Sequence, residues 1–320
     1  MSCSRRRFLA AGASITTLLA GAGLAGCAAT GPSASALAPG VTRVRLGDLT
    51  ITMLSDGFFS PRFDENFVRN APFAAVQAAL RDAGLPTDRL EIPLSPLVVE
   101  TGSQRILFDT GMGEFGPPTT GRALGNLTRA GIDPSSITAV AITHFHGDHI
   151  NGLRNKAGAL VFPNAKLYVP APEWDWWMDD GRMAAAPDAM KGQFANVRRV
   201  FGPIAASVVR FRPGDTVLPG LQSVPAFGHT PGHTAFTMKG GGRTFMYWGD
   251  TTNVPALFVR NPDWAVMFDM DAEAARQTRR RLADLVVREN MLLAGFHLDG
   301  SAIGHLSTRG NGYAFTALRG

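Results

Sequence analysis

All seven histidines of the chain fall in three short stretches. The densest is Thr143-His144-Phe145-His146-Gly147-Asp148-His149. The others are Gly228-His229-Thr230-Pro231-Gly232-His233 and the span from Phe296-His297 to Gly304-His305. An aspartate motif, Trp248-Gly249-Asp250-Thr251, accompanies them. A lone His-x-His is usually an ordinary core or surface feature, but three histidines and an aspartate within six residues point to metal chemistry. The two cysteines, Cys3 and Cys27, both lie at the N-terminus, so the rest of the chain offers no disulfide and no thiolate ligand. The donors are imidazole and carboxylate, which suit zinc first, and also manganese, iron or cobalt.

The surrounding pattern explains how such donors are positioned. From about residue 43, short apolar strands alternate with helices. Strand candidates are Leu49–Leu54, Leu94–Val99, Arg105–Phe108, Ile137–Thr143, Ala165–Val169, Val208–Phe211, Leu221–Val224, Thr234–Met238, Thr244–Trp248 and Met291–Ala294. Ala123–Ala130 reads as a helix, and Ala272–Glu289 as an amphipathic one with Ala275, Leu282, Leu285 and Val286 on its apolar side. The Ile137–Thr143 strand runs into the first motif. In extended chain, residues two apart point the same way, so His144 and His146 can reach one metal together. Gly147 permits a turn that places Asp148 and His149 at the start of a helix, toward an adjacent site. Two halves of similar βα content, with no linker between them, imply one layered α/β domain over 43–320.

Composition bounds the partners. The 320 residues are 45% hydrophobic with a formal charge of +5. Arg5, Arg6 and Arg7 account for three of those charges, and without them the excess is +2, too small to suggest nucleic acid or acidic membrane as a partner. Ser4-Arg5-Arg6-Arg7-Phe8-Leu9, followed by the apolar run Leu9–Ala25, resembles a twin-arginine export signal over residues 1–27. Leu24-Ala25-Gly26-Cys27 resembles a lipobox, with Cys27 as the lipid-bearing membrane tether; ordinary cleavage near Ala34-Ser35-Ala36 is the alternative. Residues 28–42, rich in Ala, Ser, Pro and Gly, read as a flexible tether. The expected location is the periplasm or the cell envelope.

His144-x-His146-x-Asp148-His149 resembles the signature of the metallo-β-lactamase superfamily, and the resemblance extends over most of 43–320. It implies a four-layer αββα sandwich with a single catalytic domain and a two-metal centre. By resemblance, His144, His146 and His229 hold one metal, and Asp148, His149 and His297 the other. Asp250 and a hydroxide are shared between them, with Asp250 and Asp148 in the catalytic set. Asp109, in Asp109-Thr110-Gly111, corresponds to a residue that supports a metal-bound histidine from outside. His233 is implied to be structural. His305 competes with His297 for the last ligand position, but His297 closely follows an apolar strand and is preferred, leaving His305 as a supporting or pocket residue.

Trp248–Ala256, Phe268-Asp269-Met270-Asp271 and Leu293–Leu298 resemble the methyl parathion hydrolase branch. Two departures lie where substrate should sit. Asp299-Gly300-Ser301-Ala302 replaces a run with proline and aromatics, and Asn253 stands where that branch often has histidine. The implied activity is hydrolysis of aryl phosphotriesters or esters. The alternatives are a lactonase or β-lactamase of the same superfamily and, in another class, an iron-dependent oxidoreductase. No counterpart of the lactonases' pocket tyrosine is evident. Phe58 and Phe59 follow a strand in a Gly-containing loop, Phe115 follows Asp109-Thr110-Gly111, and Trp174, Trp176 and Trp177 crowd one segment. Of these, Phe58, Phe115 and Trp177, with Asn253, are the expected substrate contacts. A homodimer is common among such relatives.

Overall fold

The computed structural model describes residues 34–319. The export signal expected over 1–27, Cys27 and the first part of the expected tether lie outside the described residues. The remainder of that segment is strand, not free chain: β1 (Ala34–Ala38) pairs antiparallel with β2 (Val41–Leu46). Pro39-Gly40 joins them, with Gly40 at φ +82°, where a tight turn requires glycine. Composition marked this stretch as loose, but the pairing is made by backbone groups that composition does not reveal.

β3 (Leu49–Leu54), β4 (Gly57–Phe59), β5 (Ile92–Leu94), β6 (Leu97–Thr101), β7 (Gln104–Phe108), β8 (Ala139–Ala141), β9 (Lys166–Pro170) and β10 (Val209–Phe211) complete the first half. The expected Leu94–Val99 strand is divided between β5 and β6 at Ser95-Pro96, where proline removes a ladder donor. One sheet runs β1-β2-β3-β6-β7-β8-β9-β10, and β4 pairs with β5 apart from it. From β7 to β10 neighbours are parallel, so each connection crosses over a face of the sheet. Those crossovers carry α2 (Ala123–Arg129), α3 (Gly147–Ile150), α4 (Ala171–Trp177), α5 (Asp180–Ala185) and α6 (Asp188–Phe201), while α1 (Phe73–Asp82) lies between β4 and β5.

The second sheet runs in chain order, β11 (Thr216–Leu218), β12 (Leu221–Pro225), β13 (Thr234–Gly240), β14 (Arg243–Tyr247), β15 (Leu292–Ala294), β16 (Ile303–Arg309) and β17 (Gly312–Ala317). Its one parallel pair, β14 with β15, is connected through α7 (Pro255–Phe258) and α8 (Ala272–Arg288).

Both faces of the first sheet are buried, with the two-residue period of a strand. Val99, Ile106 and Phe108 pack toward Phe236, Phe245 and Tyr247 of the second sheet. Val98, Leu107 and Val140 pack under Leu127, Trp174, Phe194 and Phe201 of the outer helices. On the far side, α8 buries Ala275, Leu282, Ala283 and Val286. Asp271 caps its N-terminus, accepting from the Glu273 and Ala274 N–H groups at 3.1 and 3.0 Å. The result is a four-layer sandwich, helices outside two facing sheets, as the resemblance implied. No helix among the described residues is long and apolar enough to cross a membrane.

Candidate metal centre

The site is assembled at the carboxyl ends of strands from both sheets. β7 ends at Asp109, β8 leads to His144–His149, β12 leads to His229, β14 leads to Asp250 and β15 leads to His297. The strand expected over Ile137–Thr143 is regular only for Ala139–Ala141, because the Asp109 carboxylate captures the Thr143 N–H at 2.8 Å and bends the chain there. Asp109 itself adopts φ +54°, a conformation uncommon outside glycine, asparagine and aspartate.

Outer hydrogen bonds fix the histidine rings. The Nδ1–H of His149 donates to Asp109 Oδ2 at 2.9 Å, that of His229 to Asp269 Oδ1 at 3.0 Å and that of His297 to the Pro93 carbonyl at 2.7 Å. The Thr143 hydroxyl donates to Asp109 and accepts from His144 Nδ1 at 3.0 Å. Tyr247 Oη donates to the same Asp109 oxygen at 2.9 Å. In all four rings the bonded Nδ1 leaves the Nε2 lone pair facing inward.

Three sets of inward atoms each lie within 4.8 Å of one another: His144, His146 and His229; His144, His149 and Asp250; and Asp148, His149 and His297. His146 Nδ1 is 3.0 Å from His144 Nε2 and 2.9 Å from His229 Nε2. Asp250 Oδ2 is 3.0 Å from His297 Nε2 and 3.3 Å from His229 Nε2. Asp250 Oδ1 and His149 Nε2 are 3.2 Å apart, buried, and without a hydrogen-bond partner. Converging lone pairs repel unless a cation lies among them, and buried polar atoms left unpartnered are costly. The donor set therefore fits divalent metal. Every histidine and aspartate expected as a ligand is brought together here.

Without a metal the ligand histidines divide into two electrostatic groups. Burial, reinforced by His149, pushes His144 well below the usual imidazole range, and burial with His229 does the same to His146. Burial opposes charge on His149 and His297 most strongly of any single cause, but the Asp250 and Asp148 carboxylates, joined by Asp109 at His149, together outweigh it and raise both. Burial would raise Asp250, yet His297 and His149 hold it well below the carboxylate range.

His233 is occupied on both sides. Its Nδ1 donates to the Ala226 carbonyl at 2.8 Å, and its Nε2 accepts the Asp250 N–H at 2.9 Å. Burial and His229 lower its pKa to about 3. A Cβ on Gly249 would stand 2.7 Å from that Nε2, which explains the glycine before Asp250. His305 is in none of the three ligand sets. It sits on β16 opposite Thr316, near Arg243 and Met291, and supports no ligand.

A cavity of about 360 Å³ opens over the ligands, walled by Phe59, Met112, Gln193 and Phe268. The expected substrate contacts are displaced from it. Phe59, not its strand neighbour Phe58, faces the cavity, its ring 6.1 Å from that of His297. Phe115 instead stacks under the Arg199 guanidinium, 3.8 Å from its ring centre. Trp177 is buried in the helix-side core and donates to Glu173 at 3.0 Å. Asn253 is buried in a bridge with His297 and does not line the cavity. Sequence reasoning missed Met112, Gln193 and Phe268. Phe268 had a signal, since it precedes Asp269; Gln193 had none, because α6 reaches the site only through the fold. Arg279, also missed, lies buried on α8 and donates to the Thr251, Pro262 and Trp264 carbonyls and to Asp269.

Comparison with known proteins gives a consistent result. A family model described as the metallo-beta-lactamase superfamily matches residues 94–290. A protein of Mycobacterium tuberculosis named as a probable metallo-hydrolase is 28% identical over 176 residues, 48% of this chain and 55% of that protein. The chain thus spans about half the length of the curated relatives it matches. Among solved structures, AidC, described as a dizinc quorum-quenching lactonase in complex with a product, superposes with a TM-score of 0.81 at 26% identity, covering 87% of this chain and 97% of that one. AbOPH, described as a hydrolase in the beta lactamase superfamily, gives 0.82 at 26% identity, covering 88% and 98%.

Proposed function

Because this chain belongs to the metallo-beta-lactamase superfamily, we propose that it is a metal-dependent hydrolase holding two zinc ions and cleaving small, uncharged esters and lactones. The observation that carries this reading is the pair of unpartnered buried atoms, His149 Nε2 and Asp250 Oδ1, amid three converging sets of ligand atoms. His144, His146 and His229 would hold one ion, Asp148, His149 and His297 the other, and Asp250 lies where both can be reached. Ions held there supply Lewis acidity, which lowers the pKa of a water and polarises a carbonyl or phosphoryl oxygen.

The chain's own residues do the remaining work. Asp250, anchored through its N–H to His233, is placed to orient the attacking water and accept its proton at a carboxylate oxygen. Phe59, Met112 and Phe268 exclude water and receive an apolar arm. No lysine or arginine is among the described residues lining the cavity, so no basic side chain meets the carboxylate of a β-lactam there. The lactonase named among the structural relatives supports the lactone reading. Aryl phosphotriesters are a second class. The segments that resemble the methyl parathion hydrolase branch contribute Asp250, Phe268 and Asp269 to the site, and two aromatic walls suit an aryl leaving group. The N-terminal sequence pattern supports a place outside the cytoplasm.

The test is a substrate panel of a lactone, an aryl ester, an aryl phosphotriester and a β-lactam, run with metal analysis. Two zinc ions per chain, turnover of the uncharged substrates, loss on chelation and recovery with zinc are expected. Turnover indifferent to chelation, or a single redox-active iron without hydrolysis, would overturn the proposal.

A further inference from the structure

Glu173 is fully buried, and among the described residues no arginine or lysine forms an ion pair with it. Its carboxylate is bonded to two separate loops. Oε2 accepts the Phe145 N–H at 2.9 Å and the Trp177 indole N–H at 3.0 Å; Oε1 accepts the Gly232 N–H at 2.7 Å. Phe145 lies between His144 and His146. Gly232 lies in the turn between His229 and His233. One carboxylate thus ties the backbone between His144 and His146 to the turn after His229, and it makes no hydrogen bond to Asp148, His149 or His297.

Burying a carboxylate without a cation is costly, and burial raises its pKa against the lowering pull of these donors. Such a group persists where its hydrogen bonds do something an apolar residue could not. Here it helps set the spacing of two loops that share one backbone bond, from the Thr234 N–H to the Thr143 carbonyl at 3.0 Å, but no strand ladder. The approach is close. A Cβ on Gly232 would stand 2.5 Å from the Glu173 nitrogen and 3.0 Å from its Cγ, so only glycine lets the loop reach the carboxylate. The Gln193 side-chain amide adds a bond to the Phe145 carbonyl at 2.5 Å, so both backbone groups of the residue between two ligands are held.

We infer that Glu173 is a positioning residue that fixes the three-histidine half of the metal centre, and that its loss weakens that half selectively. This rests on the two-metal reading above. Glutamine cannot substitute, because its NH₂ would face one of the N–H donors and release one loop.

The experiment measures zinc per chain and the two zinc affinities by chelator competition on the purified zinc-loaded protein, for wild type, Glu173→Gln and Gly232→Ala. Cobalt-substituted spectra report the geometry of each half. Unfolding of the metal-free forms is followed in parallel. The expected result is one zinc affinity reduced roughly tenfold to a hundredfold in both variants, with the other unchanged. Gly232→Ala keeps Glu173 in place and pushes the loop away, so it decides the matter even if Glu173→Gln does not fold. Unchanged affinities in Gly232→Ala, or equal weakening of both sites with a matching loss of metal-free stability, would overturn the inference. Fewer than two zinc ions in the wild type would instead count against the two-metal reading.

Discussion

The backbone N–H of Asp250 donates to Nε2 of His233 at 2.9 Å, so a histidine outside the three ligand sets holds the aspartate at the centre of the site. His233→Ala should therefore retain two zinc ions while kcat falls roughly tenfold to a hundredfold, the range for residues that orient a ligand from outside. Zinc analysis beside steady-state kinetics checks this. Loss of a metal would make His233 a ligand.

Asp250→Ala should lower kcat by on the order of 10²–10⁴-fold, the usual contribution of a positioned acid–base group, and loosen the metals it lies between. Turnover at the wild-type rate would remove Asp250 from the mechanism.

His305 lies on β16 opposite Thr316, away from the ligand sets. His305→Ala should keep two zinc ions and activity within about twofold, as expected for a side chain outside the site. A drop to one zinc would show that the final ligand had been misassigned to His297.

Arg279 is 2% exposed and donates to Asp269, which in turn orients His229, and to the carbonyl of Thr251 next to Asp250. Arg279→Ala leaves a buried carboxylate and three carbonyls without their donor, and should cost about 3–5 kcal/mol in a denaturant titration. Arg279→Lys should recover little, since one ammonium cannot reproduce the fork.

Phe59→Ala and Phe268→Ala should each raise KM for a substrate with an apolar arm roughly tenfold to a hundredfold, the equivalent of about 1.5–3 kcal/mol of lost burial. Trp177→Phe should leave KM alone, because Trp177 packs in the core. A KM change in Trp177→Phe matching that of Phe59→Ala would mean that the cavity wall is wrongly drawn.

Much of the centre was readable from residue types at short range. His144, His146, Asp148 and His149 are adjacent in sequence, so their joint purpose shows in their spacing. His229, Asp250 and His297 each follow an apolar strand, which places them at strand ends. Of the groups that orient them, Asp109 beside His149 was expected from its motif, but others were not, because they come from distant chain: Pro93 is 204 residues from His297, Tyr247 is 138 from Asp109, and Asp269 is 40 from His229. Trp177 and Phe59 show the same limit. Both are aromatic beside a motif, and only packing decides that one fills the core and the other faces the cavity.

The sequence by itself determined the donor chemistry, the alternation of strands and helices and the layered α/β class, since each rests on residue type and local period. Tertiary structure alone decided which nitrogen of each ring points inward, which aromatics wall the cavity and how Glu173 joins two loops. Those outcomes depend on atoms brought together from both sheets, whose distances no local pattern encodes.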